Sequence, residues 1–282
     1  MLRIGEGLVQ GGESQVSISD CRIVRSTTQE MMDEIHRTGV YDPLADGEKA
    51  STELKEKRKQ WANEGSTVVF TSGVFDLLHQ NHRAYLLHTK LEAVPIHFDK
   101  EFKGKANWEE LSEDEKKVYC QGALLGGKIR LVVSVDGDEA VASRKGGKAE
   151  KGGTPRPLFT WQTRARDVLG ATTAVTGYTP DALRVPIADA VTMHDNVAQE
   201  LVDTPHDDIL SIAHFVDPDV WSVYYESQDI IDRLKGPEGA NFTDLEAVVL
   251  PGHEFYVDSL LGGRFSTTAI TKRIIGSENA DK

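Results

Sequence analysis

His79 and His82 stand three residues apart, directly after the run Phe70-Thr71-Ser72-Gly73-Val74-Phe75-Asp76-Leu77-Leu78. Two histidines at that spacing, at the opening of a helix, share one side of it. A helix N-terminus favours anions, because its free N–H groups and its dipole both point outward there. Imidazole N–H groups in that place can donate to phosphate oxygens, and Gly73 lets the backbone approach a ligand closely. The chemistry suggested is phosphate handling. The plain alternative is an ordinary pair on a helix surface. A metal site would need further ligands, and no third one is obvious. A second constellation lies near the C-terminus, where Ser266-Thr267-Thr268 precedes Ala269-Ile270-Thr271-Lys272-Arg273. Hydroxyls at a helix start cap its N–H groups, and the same groups can bind a triphosphate. Here too an ordinary cap is the alternative.

The elements that must position these groups follow an α/β pattern. Thr67-Val68-Val69-Phe70 reads as a buried strand broken at Thr71-Ser72-Gly73, and His82 to Lys90 as the helix after it. Ile129 to Val135 is the next strand, with Asp136-Gly137-Asp138 at its end. Further strands are expected at Thr173–Thr176, Ala190–Met193, Val220–Tyr224 and Ala247–Leu250. Helices are expected at Gln162–Leu169, Asp207–Phe215 and Thr267–Ile275. Apolar runs that end in Gly or Asp and lead into helices predict a doubly wound parallel sheet, with ligands at the carboxyl ends of its strands. Residues 1–64 read as an N-terminal extension, a helical lead-in packing on a core domain of 65–282. Its helix is expected over Thr52–Ala62, and Gly65 stops it. The polar stretch 93–121 reads as an insertion in the first crossover, at the edge of the site, serving as a lid or packing element. Ser112-Glu113-Asp114-Glu115 within it is a helix start.

Charge narrows the class. The chain has 282 residues, with 32 Lys and Arg against 45 Asp and Glu, a net charge of −13. So acidic a surface argues against non-specific binding to nucleic acid or an anionic membrane, which needs a basic face. It leaves room for a local basic pocket. Lys145, Lys148 and Lys151 form such an island in a Gly-rich stretch, either a solvated loop or a mobile source of cations for phosphates. Cys21 and Cys120 are too few for a disulfide framework and read as free thiols. There is no apolar run of about 18 residues and no signal-peptide pattern, so a soluble cytoplasmic protein is expected.

The string Gly73-Val74-Phe75-Asp76-Leu77-Leu78-His79-Gln80-Asn81-His82 resembles the G-x-F-D-x-x-H-x-G-H signature of the cytidylyltransferase-like nucleotidyltransferases. That family includes the glycerol-phosphate cytidylyltransferases and the heptose-phosphate adenylyltransferases. The match falls at Gly73, Phe75, Asp76, His79 and His82. Asn81 stands where the family has a Gly that leaves room for the nucleotide. The segment Ser266-Thr267-Thr268-Ala269-Ile270 is similar to the family's second signature, and Leu131 to Val141 to its second strand and exit. Lys145-Gly146, Arg156-Pro157 and Arg164 are similar to its K-G, R-P and R positions. Asp217-Pro218-Asp219 resembles the L-x-P-D strand of the sugar-phosphate branch, without the Lys that follows there. His194, after Val191-Thr192-Met193, is a further candidate neighbour.

The resemblance implies a Rossmann-like fold of the nucleotidyltransferase type and the joining of an NTP, ATP ahead of CTP, to a phosphorylated sugar or polyol. Pyrophosphate is released, and Mg²⁺ is bound through the nucleotide phosphates. His79, His82, Lys145 and Arg164 are then the expected catalytic residues. Thr71, Ser72, Gly73, Phe75, Asp136, Ser266, Thr267 and Thr268 are the expected nucleotide-binding residues. Asp76 is expected to fix the turn. A cofactor-pathway adenylyltransferase of the same fold and a non-catalytic nucleotide-binding relative are the alternatives. A homodimer is an expectation from relatives.

Overall fold

The computed structural model describes residues 39–41, 48–145, 156–175, 183–194, 216–222 and 247–249, together with Ile209, Ile212 and Ala213. The strands are β1 (Val40–Tyr41), β2 (Thr67–Gly73), β3 (Ile129–Asp136), β4 (Thr172–Val175), β5 (Leu183–Pro186), β6 (Ala190–His194), β7 (Val220–Ser222) and β8 (Ala247–Val249). The helices are α1 (Glu48–Asn63), α2 (Gln80–Phe102), α3 (Glu113–Leu125), α4 (Asp138–Lys145) and α5 (Trp161–Leu169). Six strands form one sheet in the order β1-β6-β3-β2-β7-β8, and every described pair is parallel. Taken in chain order, β2, β3, β6, β7 and β8 occupy places 3-2-1-4-5. This is the Rossmann-like arrangement, and its direction of winding reverses between β2 and β7.

Alternation along the strands divides the core between two helical layers. Val68, Phe70, Val132 and Trp221 pack with Leu54 and Trp61 of α1 and with Ile209, Ile212, Ala213 and Val216. Those last four recur at helical spacing within and just after the expected 207–215 helix. On the other face Val69, Leu131, Val133 and Met193 meet Leu86, Ala93 and Val94 of α2 and Trp161, Ala165 and Val168 of α5. Strands covered on both faces read as continuous apolar runs, which is why β2 and β3 were legible.

Two buried carboxylates pin neighbouring strands in register. Asp219 accepts from the N–H of Val68 at 2.6 Å, and Asp189 from that of Leu131 at 2.8 Å. Each is paired with cations: Asp219 with Lys100 at 2.6 Å and Arg58 at 3.4 Å, Asp189 with Lys90 at 2.7 Å and Arg130 at 3.2 Å. The Pro218-Asp219 motif therefore has a structural task at the start of β7.

Three expectations are corrected. Thr172–Val175 does not join the parallel sheet but pairs antiparallel with β5, Thr172 opposite Pro186. The seven residues between the two strands suit an antiparallel pair, whereas a parallel return needs a crossover of about a dozen or more. Within the extension Val40 and Tyr41, where no element was expected, add an edge strand beside Val191 and Thr192 of β6. Residues 93–121 are not at the edge of the site. The first of them continue α2, which runs well past the expected Lys90 because Ala93, Val94, His97 and Phe98 keep burying one face. This end of α2 lies where the strands begin: Thr67 Oγ1 is 3.0 Å from His97 Nδ1. A Ser112–Glu115 capping box then opens α3, and Tyr119 packs edge-on against Phe98 at 4.9 Å. The stretch is a packing element. The second motif, Ser266–Thr268, and the 267–275 helix lie outside the described residues.

Candidate functional site

At the carboxyl end of β2 the chain turns sharply before α2. Phe75 takes a left-handed conformation, φ 46°, which brings its ring back toward the strand end. A Cβ on Gly73 would lie 3.0 Å from two atoms of that ring, so glycine here serves the close approach of Phe75. The same ring meets His82 edge-on at 5.4 Å. Gly73 and Phe75 thus hold one of the two histidines in place.

His79 is the residue preceding α2, and its ring stacks on His82 with centroids 3.7 Å apart and planes 19° from parallel. Helical spacing brings the pair onto one side, as the sequence predicted. His82 Nδ1 lies 3.1 Å from the carbonyl of Leu77. A carbonyl only accepts, so Nδ1 carries a proton, and Nε2 can donate only when the ring is an imidazolium. His79 differs. Burial lowers its pKa from 6.5 to about 4, so it is neutral near pH 7. Its Nδ1 is buried with no hydrogen-bond partner. Two stacked imidazoliums would repel, so the 3.7 Å stacking disfavours charging both rings at once. Asn81, between them, is 8% exposed.

The turn is clamped from below. Asp76, 1% exposed, accepts from the N–H groups of Leu158 at 2.7 Å and Phe159 at 3.2 Å, and its other oxygen forms an ion pair with Arg156 Nε at 2.6 Å. The expectation that Asp76 fixes the turn agrees with these contacts. Arg164 is fully buried, and its guanidinium donates to Val74 O at 2.6 Å, Phe159 O at 3.0 Å and Asp138 Oδ1 at 2.7 Å. All three of its nitrogens are engaged in joining the strand exit to α5 and α4. It ties the loop together and does not present a free cation to a phosphate, which differs from the sequence reading.

Thr71 is buried too. Its hydroxyl lies 2.6 Å from Tyr85 Oη and donates to Ser222 O at 3.0 Å, while Ser222 Oγ meets Thr89 Oγ1 at 3.0 Å. These hydroxyls stitch β2, β7 and α2 together where the winding reverses. Tyr85 and Ser222 were missed. The signal for Tyr85 was available, since it continues the three-residue spacing of His79 and His82. Ser72 is partly exposed beside Ser134 of β3. Asp136, 4% exposed, lies 3.2 Å from His194 Nε2, whose Nδ1 is 2.8 Å from Ser134 Oγ. The cross-strand pairing of Asp136 with His194 brings these together, and Ser134 shares their face at a spacing of two. Lys145 is the last residue of α4. Ser266, Thr267 and Thr268 lie outside the described residues, as do Lys148 and Lys151. Among the described residues no three His, Cys, Asp or Glu side chains gather as a metal site, and no helix is long and apolar enough to cross a membrane.

No family model and no curated protein matches the chain. Among solved structures it is similar to a lipopolysaccharide core biosynthesis protein from Thermoplasma volcanium GSS1, at 16% identity and a TM-score of 0.34, over 66% of this chain and 96% of that one. A likeness of that degree carries no argument about activity. What stands is an α/β chain of Rossmann-like order, with a stacked histidine pair at the carboxyl end of its central strand.

Proposed function

We propose that the chain is a nucleotidyltransferase that joins the α-phosphate of an NTP, ATP ahead of CTP, to a phosphorylated sugar or polyol. The observation that carries the reading is the stacked His79–His82 pair at the start of α2, with the buried, unpartnered Nδ1 of His79. It stands after β2, beside the reversal point where open α/β sheets bind ligands.

In this reaction an acceptor phosphate oxygen attacks the α-phosphorus in line. The new P–O bond forms as the bond to the bridging oxygen breaks, and the electron pair leaves with pyrophosphate. The protein's part is to hold two anions together and to stabilise charge as it moves. In this proposal the stacked rings of His82 and His79 face the triphosphate, and neutral His79 supplies an N–H without adding charge. Lys145 and the Ser266–Thr268 segment complete the phosphate contacts in this proposal. Arg164 is a positioning residue that holds the loop carrying Phe75. Mg²⁺ bound through the nucleotide phosphates would neutralise part of their charge. No protein-built magnesium site is part of the proposal.

The test is pyrophosphate release with Mg²⁺ across four nucleoside triphosphates and a panel of phosphorylated sugars, polyols and amino alcohols. One productive pair is expected, with turnover lowered about 10²–10³-fold in His82→Ala. Nucleotide binding without release from any pair would overturn the enzyme reading. It would favour a nucleotide-binding relative, in which buried Asn81 stands where the resembled signature has a Gly that leaves room for the nucleotide.

A further inference from the structure

The opposite end of the sheet carries a second feature. A cleft of about 550 Å³ opens where β2, β3 and β7 begin. It is lined by four cations, Arg58, Lys100, Lys103 and Lys128, against two carboxylates, Glu101 and Asp219. Arg58 and Lys100 already close on Asp219, at 3.4 and 2.6 Å. Lys103 and Lys128 remain against Glu101, a local positive excess in a chain of net charge −13. Lys103 is exposed, and Lys128 donates to Glu64 O at 3.0 Å.

His97 lines the same cleft and is 3% exposed. Its Nδ1 is held by Thr67 Oγ1 at 3.0 Å, and its Nε2 is buried with no hydrogen-bond partner. The Glu101 carboxylate, 3.9 Å from Nε2, favours the tautomer with the proton on Nε2. A buried donor left without a hydrogen bond is costly, so one in a cleft that Lys103 and Lys128 also line points to an acceptor that arrives from outside. The cleft, about 550 Å³, is larger than one anion needs. Glu101, half-exposed at its mouth, accepts from Tyr119 at 2.6 Å and is suited to accept from ligand hydroxyls as well.

We propose that this cleft binds a polyhydroxy phosphate ester, its phosphate on His97 Nε2, Lys103 and Lys128 and its hydroxyls toward Glu101. β2 spans seven residues, so the cleft and the His79–His82 pair are separated by roughly 20 Å along the strand. The two are distinct sites. The proposal does not rest on the nucleotidyl-transfer reading.

The test is histidine-ring NMR of the labelled full chain, with signals assigned by through-bond correlation. Glycerol 3-phosphate, inorganic phosphate and sulfate are titrated separately into wild type and Lys103→Glu. The His97 signal is expected to move saturably with the ester, more tightly than with inorganic phosphate and far more than with sulfate. Reversing the exposed charge at Lys103 should weaken that response at least about tenfold. It should leave the His79 ring signals, at the other end of β2, where they are in wild type. A stationary His97 signal overturns the proposal, as does equal binding of sulfate or an undiminished response in Lys103→Glu. Inorganic phosphate binding as tightly as the ester overturns the ester and assigns the cleft to the free anion.

Discussion

Replacing Arg164 with Met removes a buried guanidinium while keeping most of its length, so the cavity left is small. Three donations disappear together: to Val74 O, to Phe159 O and to the Asp138 carboxylate. Hydrogen bonds from a charged donor contribute about 1.5–3 kcal/mol each, and a buried carbonyl left unmatched costs about 1–3 kcal/mol. Asp138 is 38% exposed at its side chain, so water takes over part of that bond. The three are not additive, because one side chain makes them all. A net loss of about 3–5 kcal/mol follows, the range of a broken buried ionic contact. Against a typical total of about 5–15 kcal/mol, that is a large fraction. The assay is urea unfolding at fixed pH, comparing midpoint and slope for wild type, Arg164→Met and Arg164→Lys. Lysine keeps the charge but lacks the planar fork, so it should recover little of the loss. The outcome that refutes the reasoning is Arg164→Met with wild-type stability and weakened nucleotide binding. The guanidinium would then be a phosphate ligand, and the contacts to Val74 and Phe159 would be incidental.

Acid stability should report the state of His79. Its pKa in the fold is about 4, below the 6.5 of the unfolded chain, so the unfolded state binds more protons between those values. Stability linked to this group is present above about pH 6.5 and is lost as pH falls toward 4. Because the ring is partly solvated, the loss is roughly 1–2 kcal/mol rather than the full shift. The urea midpoint of His79→Gln should therefore fall less than wild type over that window. Parallel curves would contradict the assignment. Adding a methyl at Gly73 places a Cβ 3.0 Å from the Phe75 ring, which must give way. Gly73→Ala should cost about 1–3 kcal/mol. It should also shift the His82 ring signals, since Phe75 lies edge-on to His82 at 5.4 Å. Unchanged His82 signals would show that Phe75 does not hold that histidine.

Local features were legible from the chain alone. The buried runs of β2 and β3, the capping box at Ser112–Glu115 and the shared face of His79 and His82 each depend on neighbours within a few residues. Backbone propensity and side-chain period decide such features without knowledge of the fold. The N-terminal edge strand was not legible, because two residues, Val40 and Tyr41, are strand only while β6 offers them a free edge. The segment 172–175 was legible as a strand but not as antiparallel, since pairing is chosen by the partner and not by the strand.

The charged groups divide in the same way. The sequence by itself determined that His79 and His82 open a helix after a buried strand, because helical geometry acts locally; the break expected at Thr71-Ser72-Gly73 does not form, and β2 stays paired with β3 through Gly73. It could not determine where the cations go. Arg164 looks from the chain like a phosphate ligand, and the fold turns it onto two carbonyls and Asp138. Asp219 reads from the chain only as part of a strand entry, and the fold commits it to the N–H of Val68 and to Lys100. The cleft around His97 joins α1, α2, the turn before β3 and the start of β7, elements far apart in the chain. Only tertiary structure decides such matters, because a buried charge takes whichever partner packing brings within reach, and that partner stands anywhere in the sequence.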